Sequence, residues 1–210
     1  MTKGMIFKNR QQAGLLLAKK LEPFKKKYAV VFGIPRGGIV VAKAVADYLK
    51  LPLDIIVVKK IGAPGNPELA IGAAGPKGVV YWDENLCQRF GISERIKSQE
   101  LGIKNKEREE REKRLRGEKP YDIKDKNIIL VDDGVATGAT VLAAGKFFKE
   151  EKAKKAILAI PVIPRDTLFN IKEYFDRIIV LSIEENFYAV GQFYCEFPQV
   201  EDEEVIQLLK

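Results

Sequence analysis

Between residues 128 and 140 the chain reads Ile128-Ile129-Leu130-Val131-Asp132-Asp133-Gly134-Val135-Ala136-Thr137-Gly138-Ala139-Thr140. Four consecutive apolar residues are what a short strand buried on both faces requires. Two carboxylates stand where that strand would leave the core. A loop of small residues carrying Thr137 and Thr140 then opens a helix expected over Gly138–Glu151. In open α/β sheets, ligands bind beyond the carboxyl ends of strands. A helix N-terminus offers backbone amides to an anion, and small side chains let a phosphate approach them closely. A phosphate therefore fits over Ala136, Thr137, Gly138, Ala139 and Thr140, while Asp132 and Asp133 suit hydroxyls or a hydrated cation. Two carboxylates beside a bare phosphate would repel it, so something neutral or cationic must lie between them; ribose hydroxyls and magnesium fit that place. A plain strand–turn–helix in which Asp133 caps the helix would explain one carboxylate, but neither its neighbour nor the Thr-Gly-x-Thr ending. A Walker A loop is ruled out, because no lysine follows Gly138.

The segments that follow alternate regularly. Strands are expected over Asn127–Val131, Lys155–Val162 and Arg177–Ser182, with helices over Gly138–Glu151 and Asp166–Tyr174. Continuous apolar strands separated by helices of about a dozen residues indicate βαβ units, a parallel sheet and right-handed crossovers. Upstream, Asn9–Leu21 has helical spacing (Ala13, Leu16, Leu17, Leu21) and stops before Pro23. Tyr28–Ile34 is a buried strand, Pro35-Arg36-Gly37-Gly38 a loop, Ile39–Leu49 a helix and Leu53–Ile61 a second strand ending near Lys59-Lys60. The Gly- and Pro-rich stretch Gly62–Gly78 reads as a long mobile loop or loose hairpin, of the kind that serves as a lid. Ser93–Arg116 is a charged helical stretch with sparse apolar marks at Ile96, Leu101 and Leu115, expected to lie over one edge of the domain as an insertion at about 93–118. The tail, about 184–210, has an aromatic cluster and a short acidic helix. A single domain over 1–210 is the expectation.

Composition narrows the chemistry. Without a histidine, imidazole-based nucleophilic triads and His-type zinc sites are excluded. The two cysteines, Cys87 and Cys195, stand far apart, against both a disulfide scaffold and a CxxC zinc site. Catalysis must therefore come from carboxylates, Lys/Arg, backbone amides or an oxygen-bound metal. The net charge of +7 comes with both signs interspersed, the pattern of a solvated surface, so nucleic acid is not an expected partner. No apolar run approaches membrane-span length. Residues 1–12 lack an apolar signal segment, and cytoplasmic residence is expected.

The thirteen residues Ile128–Thr140 resemble the signature of type I phosphoribosyltransferases: four apolar, two acidic, then a small-residue loop ending Thr-Gly-x-Thr. The Gly-Ile-Pro-Arg-Gly-Gly loop at 33–38 resembles an uncharacterised group within that family. The resemblance implies an α/β parallel-sheet fold with flanking helices, a flexible loop and a small hood. It also implies 5-phosphoribosyl-1-pyrophosphate (PRPP) as donor, a nitrogenous base or related acceptor, and release of pyrophosphate. Asp132 and Asp133 would contact the ribose hydroxyls, and Ala136–Thr140 would cradle the 5-phosphate. Arg36, Gly37 and Gly38 would hold pyrophosphate, in a loop that often carries a strained peptide bond. Lys60 would assist them; many relatives have Arg-Lys where this chain has Lys59-Lys60, and lysine lacks the bidentate fork.

Glu68, the carboxylate of the Gly62–Gly78 loop, would serve as acid or base, and Phe187 of the hood would stack on the acceptor. Mg2+ is the implied cofactor, carried by PRPP, with Asp132 and Asp133 the protein groups able to touch it. A homodimer is common in the family. Relatives acting on 6-oxopurines tend to carry aspartate where this chain has Ala136, which disfavours hypoxanthine–guanine specificity. The rival is a non-catalytic PRPP sensor on the same fold, for which the chain shows neither a DNA-binding module nor a basic recognition helix.

Overall fold

The computed structural model describes residues 6–25 and 28–210, with the Glu68 side chain left out. Helix α1 (Arg10–Lys20) begins at Asn9, whose side chain accepts from the Gln12 N–H. It leads to β1 (Ala29–Gly33), α2 (Gly37–Leu49) and β2 (Leu53–Ile55). Next come β3 (Lys59–Ala63), β4 (Asn66–Ala74), β5 (Val80–Trp82), α3 (Glu84–Arg89) and α4 (Glu94–Arg116). The second half runs β6 (Asn127–Val131), α5 (Ala139–Glu150), β7 (Lys155–Pro164), α6 (Arg165–Ile171), β8 (Arg177–Glu184) and α7 (Asp202–Leu208).

Five strands form a parallel sheet in the order β2-β1-β6-β7-β8. Its apolar strands bury both faces, and period two assigns residues to opposite cores. Val30, Phe32, Ile128 and Leu130 pack with Val141, Leu142, Phe147 and Phe148 of α5. Val31, Ile129 and Val131 pack instead with Leu17 of α1 and Val41 and Val45 of α2. From β1 the chain winds through α2 toward β2; from β6 it winds through α5 the other way, toward β7. The strand order thus reverses between β1 and β6, whose ends lie level, with Gly33 opposite Val131. A crevice opens at such a reversal, and the two loops leaving β1 and β6 flank it.

The expected strand Leu53–Ile61 is in fact two strands in different sheets. Parallel pairing ends at Ile55, residues 56–58 remain buried, and Lys59 pairs antiparallel with Ala74. An unbroken apolar run gives no sign of where a chain changes sheets. The stretch Gly62–Gly78 is a hairpin rather than a long loop. It turns at Pro64-Gly65, where Gly65 has φ +76°, and β4 joins β3 and β5 in a three-stranded antiparallel sheet. Small residues allow this: a Cβ at Gly72 would lie 2.5 Å from the Tyr81 carbonyl oxygen and 2.7 Å from the Trp82 ring. The sequence reading passed over β5 and α3.

The charged helix α4 covers this second sheet. Its Glu107 pairs with Lys59 at 3.4 Å, its Arg116 forks onto Asp54 at 2.7 and 2.8 Å, and its Arg111 and Arg114 hold Asp202 of α7. Instead of covering a single edge, α4 joins the antiparallel sheet to β2 and the tail. No helix among the described residues is long and apolar enough to cross a membrane.

Candidate active site

Beyond the ends of β1 and β6 lies a pocket of about 240 Å³, lined by Ile34–Gly37, Lys60, Asp132–Gly138, Thr140 and Val190. Four separate segments of the sequence meet there. Asp132 and Asp133 follow directly from β6, and the Asp133 N–H donates to Asp132 Oδ1 at 2.9 Å. Burial pushes the Asp132 carboxyl well above the usual range, with the neighbouring Asp133 charge adding to the effect and Lys60 opposing it. Burial also raises Asp133, against the pull of Arg10, whose Nε donates to Asp133 Oδ2 at 2.7 Å.

The loop that follows is fixed from below. The Val135 N–H donates to the Val162 carbonyl at 3.0 Å, and the Thr167 hydroxyl donates to the Ala136 carbonyl at 2.6 Å. Gly138 has φ +87°, a left-handed conformation suited to glycine, with Ile171 and Thr167 methyls 3.0 and 3.1 Å from where a Cβ would stand. It is the N-cap of the twelve-residue α5 and provides no side-chain cap. The first-turn amides of Ala139, Thr140 and Val141 are thus left for a ligand at the positive end of the helix.

On the opposite wall, the Pro35–Arg36 peptide bond is cis. A Cβ at Gly37 would overlap the Asp133 carboxylate, and one at Gly38 would lie 2.6 Å from Asp132 Oδ1. Both positions require glycine because the acidic pair packs against them. Arg36 lines the pocket and makes a partly exposed pair with Glu201 at 3.4 Å. Strand alternation separates the two lysines: Lys60 faces the pocket, whereas Lys59 turns away to Glu107 on α4.

Gly38 and Ala139 are buried behind the lining. Glu68 belongs to β4, near the hairpin tip, and its side chain is outside the described residues. Phe187 is not part of the pocket wall. Its ring packs on Phe193, with centroids 5.1 Å apart, in a cluster with Phe7 and Tyr194, and Val190 is the hood residue that lines the pocket.

Arg10 and Tyr194 were not read as site residues from the sequence. The Tyr194 hydroxyl donates to the Asp133 carbonyl at 2.6 Å, and the Arg10 guanidinium also donates to the Pro198 carbonyl at 2.7 Å. A signal for Arg10 was present: it lies three and seven residues before Ala13 and Leu17, on the buried stripe of α1. A charge on such a stripe needs a partner.

A crevice at a strand-order reversal, with a small-residue loop opening α5 on one wall and an acidic pair beside it, defines a type I phosphoribosyltransferase fold. The chain belongs to the phosphoribosyl transferase domain family, whose profile matches residues 5–198. A Mycobacterium tuberculosis protein named "Putative phosphoribosyl transferase" is 38% identical over 208 residues, covering 97% of this chain and 46% of that protein. The chain thus spans about half the length of the curated relatives it matches. The crystal structure of TT1426 from Thermus thermophilus superposes with TM-score 0.81 at 36% identity, covering 98% of each chain. The purine phosphoribosyltransferase of Pyrococcus horikoshii shares the fold, with TM-score 0.50 at 20% identity and 91% and 92% coverage.

Proposed function

We propose that this chain, acting as one catalytic unit, transfers the phosphoribosyl group of PRPP to a nitrogen of a small base, releasing pyrophosphate. The observation that carries the reading is the meeting of Arg36, Gly37, Lys60, Asp132, Asp133 and the 134–140 loop around one pocket. The α5 N-terminus with Thr137 and Thr140 receives the 5-phosphate, and the acidic pair receives the ribose hydroxyls. Arg36 and Lys60 take the charge that collects on pyrophosphate as the C1–O bond breaks. Positive charge develops at the anomeric carbon, the acceptor nitrogen bonds to it, and the nitrogen's proton leaves to water or to Glu68. Holding the partners in place and balancing charge supply most of the acceleration.

The donor set also fits magnesium delivered by the substrate. Among the described residues no group of three or more His, Cys, Asp or Glu could cage a metal, and one of the two pocket carboxylates is already paired with Arg10. Magnesium keeps several waters and binds phosphates through one or two carboxylates. Asp132, with Asp133, would be its protein contact, and the ion would neutralise developing charge on pyrophosphate. Purified protein supplied with PRPP, magnesium and a panel of bases should release pyrophosphate with one acceptor class. Release with none, under conditions where PRPP binds, would favour the sensor.

A further inference from the structure

Resting on that reading, we infer that Arg10 is a positioning residue that sets the grip of the acidic pair on the sugar diol and ties it to the C-terminal tail. The guanidinium makes three contacts, and they lead to two different places. Nε donates to Asp133 Oδ2 at 2.7 Å, whereas the terminal nitrogen donates to the Pro198 carbonyl at 2.7 Å and the group lies 3.6 Å over the Phe197 ring. The Arg10 side chain is only 9% exposed, so this charge is withdrawn from solvent and committed to its partners. The same Nε lies 2.8 Å from where a Cβ at Gly37 would stand. One guanidinium therefore ties the segment after β6 to the tail and closes the space beside Gly37, the first residue of α2.

The two carboxylates are inequivalent as a result. Asp133 is held twice, through its carboxylate by Arg10 and through its backbone carbonyl by the Tyr194 hydroxyl. Asp132 takes its orientation from Asp133, through the Asp133 N–H on its Oδ1. Releasing Arg10 frees the Asp133 carboxylate to rotate, while Asp132 keeps the backbone N–H that orients it, because Tyr194 still holds the Asp133 carbonyl. The 5-phosphate cradle is fixed separately, by Val162 and Thr167. Loss of Arg10 should consequently damage recognition of the diol and spare recognition of the phosphate. A general loss of folding would damage both.

The test is calorimetric binding of ribose 5-phosphate and of its 2,3-dideoxy analogue to wild type, Arg10→Ala and Arg10→Lys. Wild type should favour the diol-bearing ligand by roughly tenfold or more, the factor that one charge-assisted hydrogen bond supplies. Arg10→Ala should cut that preference severalfold while leaving the affinity of the dideoxy analogue unchanged. Arg10→Lys should fall between, because an ammonium lacks the fork that reaches Asp133 and Pro198 together. If Arg10→Ala fails to fold, Arg10→Lys decides, and an undiminished preference overturns the inference. So does a wild-type preference in Arg10→Ala, or a proportional loss of both affinities. Wild type without any preference for the diol would sink the parent reading, and this one with it.

Discussion

The β6–α5 crossing and the β3–β4–β5 sheet contribute to one pocket, yet they are built on opposite principles. The first rests on large apolar side chains. Ile128, Ile129, Leu130 and Val131 are fully buried on two faces, and the polar residues are released only where the strand ends. The second rests on the near absence of side chains, with Gly62, Ala63, Ala70, Gly72, Ala73 and Ala74 allowing backbone to approach backbone. The first supplies most of the pocket lining; the second brings Lys60 to it. A loop hydrogen-bonded from below and an arm built of small residues differ in how they should respond to damage.

The largest effect belongs to the acidic pair at the end of β6. Asp132→Asn should lower kcat/KM by about a hundred- to a thousandfold, the scale set by removing a preorganised group that, on the proposed function, meets the reacting sugar. The same change should stabilise the ligand-free protein at pH 7. Burial and Asp133 raise the Asp132 carboxyl above its unfolded value, so the folded chain binds the extra proton, and wild type loses stability as pH rises through that raised value. Asn carries no charge to bury. Its melting temperature should exceed wild type's by a few degrees, about 2–4 °C for each kcal/mol released, and the gap should close as pH falls below about 4, the ordinary aspartate pKa. An Asn variant less stable than wild type at pH 7 would contradict this.

Next comes Gly37→Ala. Its methyl group would occupy the place of the Asp133 carboxylate, and a displaced reacting group costs about a hundredfold. Overpacking adds about 1–3 kcal/mol of instability, readable by denaturant titration. On the arm, Lys60→Ala should raise KM for PRPP about tenfold, the loss of one charge-assisted contact, while Lys59→Ala changes it less than about twofold, the worth of an exposed pair. Equal effects at both lysines would mean that strand alternation does not separate their roles. The smallest functional effect is expected at Gly72→Ala, which should destabilise the β4–β5 pairing by about 1–3 kcal/mol and leave KM for PRPP close to wild type.

Legibility in the sequence follows the same division. A continuous apolar strand followed at once by two carboxylates and a small-residue turn leaves residue-level marks, so the strand Asn127–Val131 was placed at its observed bounds. The hairpin leaves weak marks, because glycine and alanine specify a strand poorly, and the stretch read as a loop or loose hairpin gave no hint of β5. Lys60 was named over Lys59 on the resemblance alone; the register of β3 supplies the physical reason, turning Lys59 away to Glu107. Phe187 was chosen from an aromatic cluster whose internal packing no spacing rule reveals; it lies on Phe193, and Val190 reaches the pocket. Arg10 went unread because its partner is 123 residues away, although its place on the buried stripe of α1 announced that some partner existed.

Calorimetric titration of the protein with PRPP and magnesium, repeated with the Asp132→Asn, Asp133→Asn double variant, addresses the crevice between β1 and β6 directly. Saturable one-to-one heat in wild type, lost in a double variant that still melts cooperatively, is the expected result. Undiminished heat in the double variant, or none in wild type with any divalent ion, would contradict the assignment of that crevice to the activated sugar.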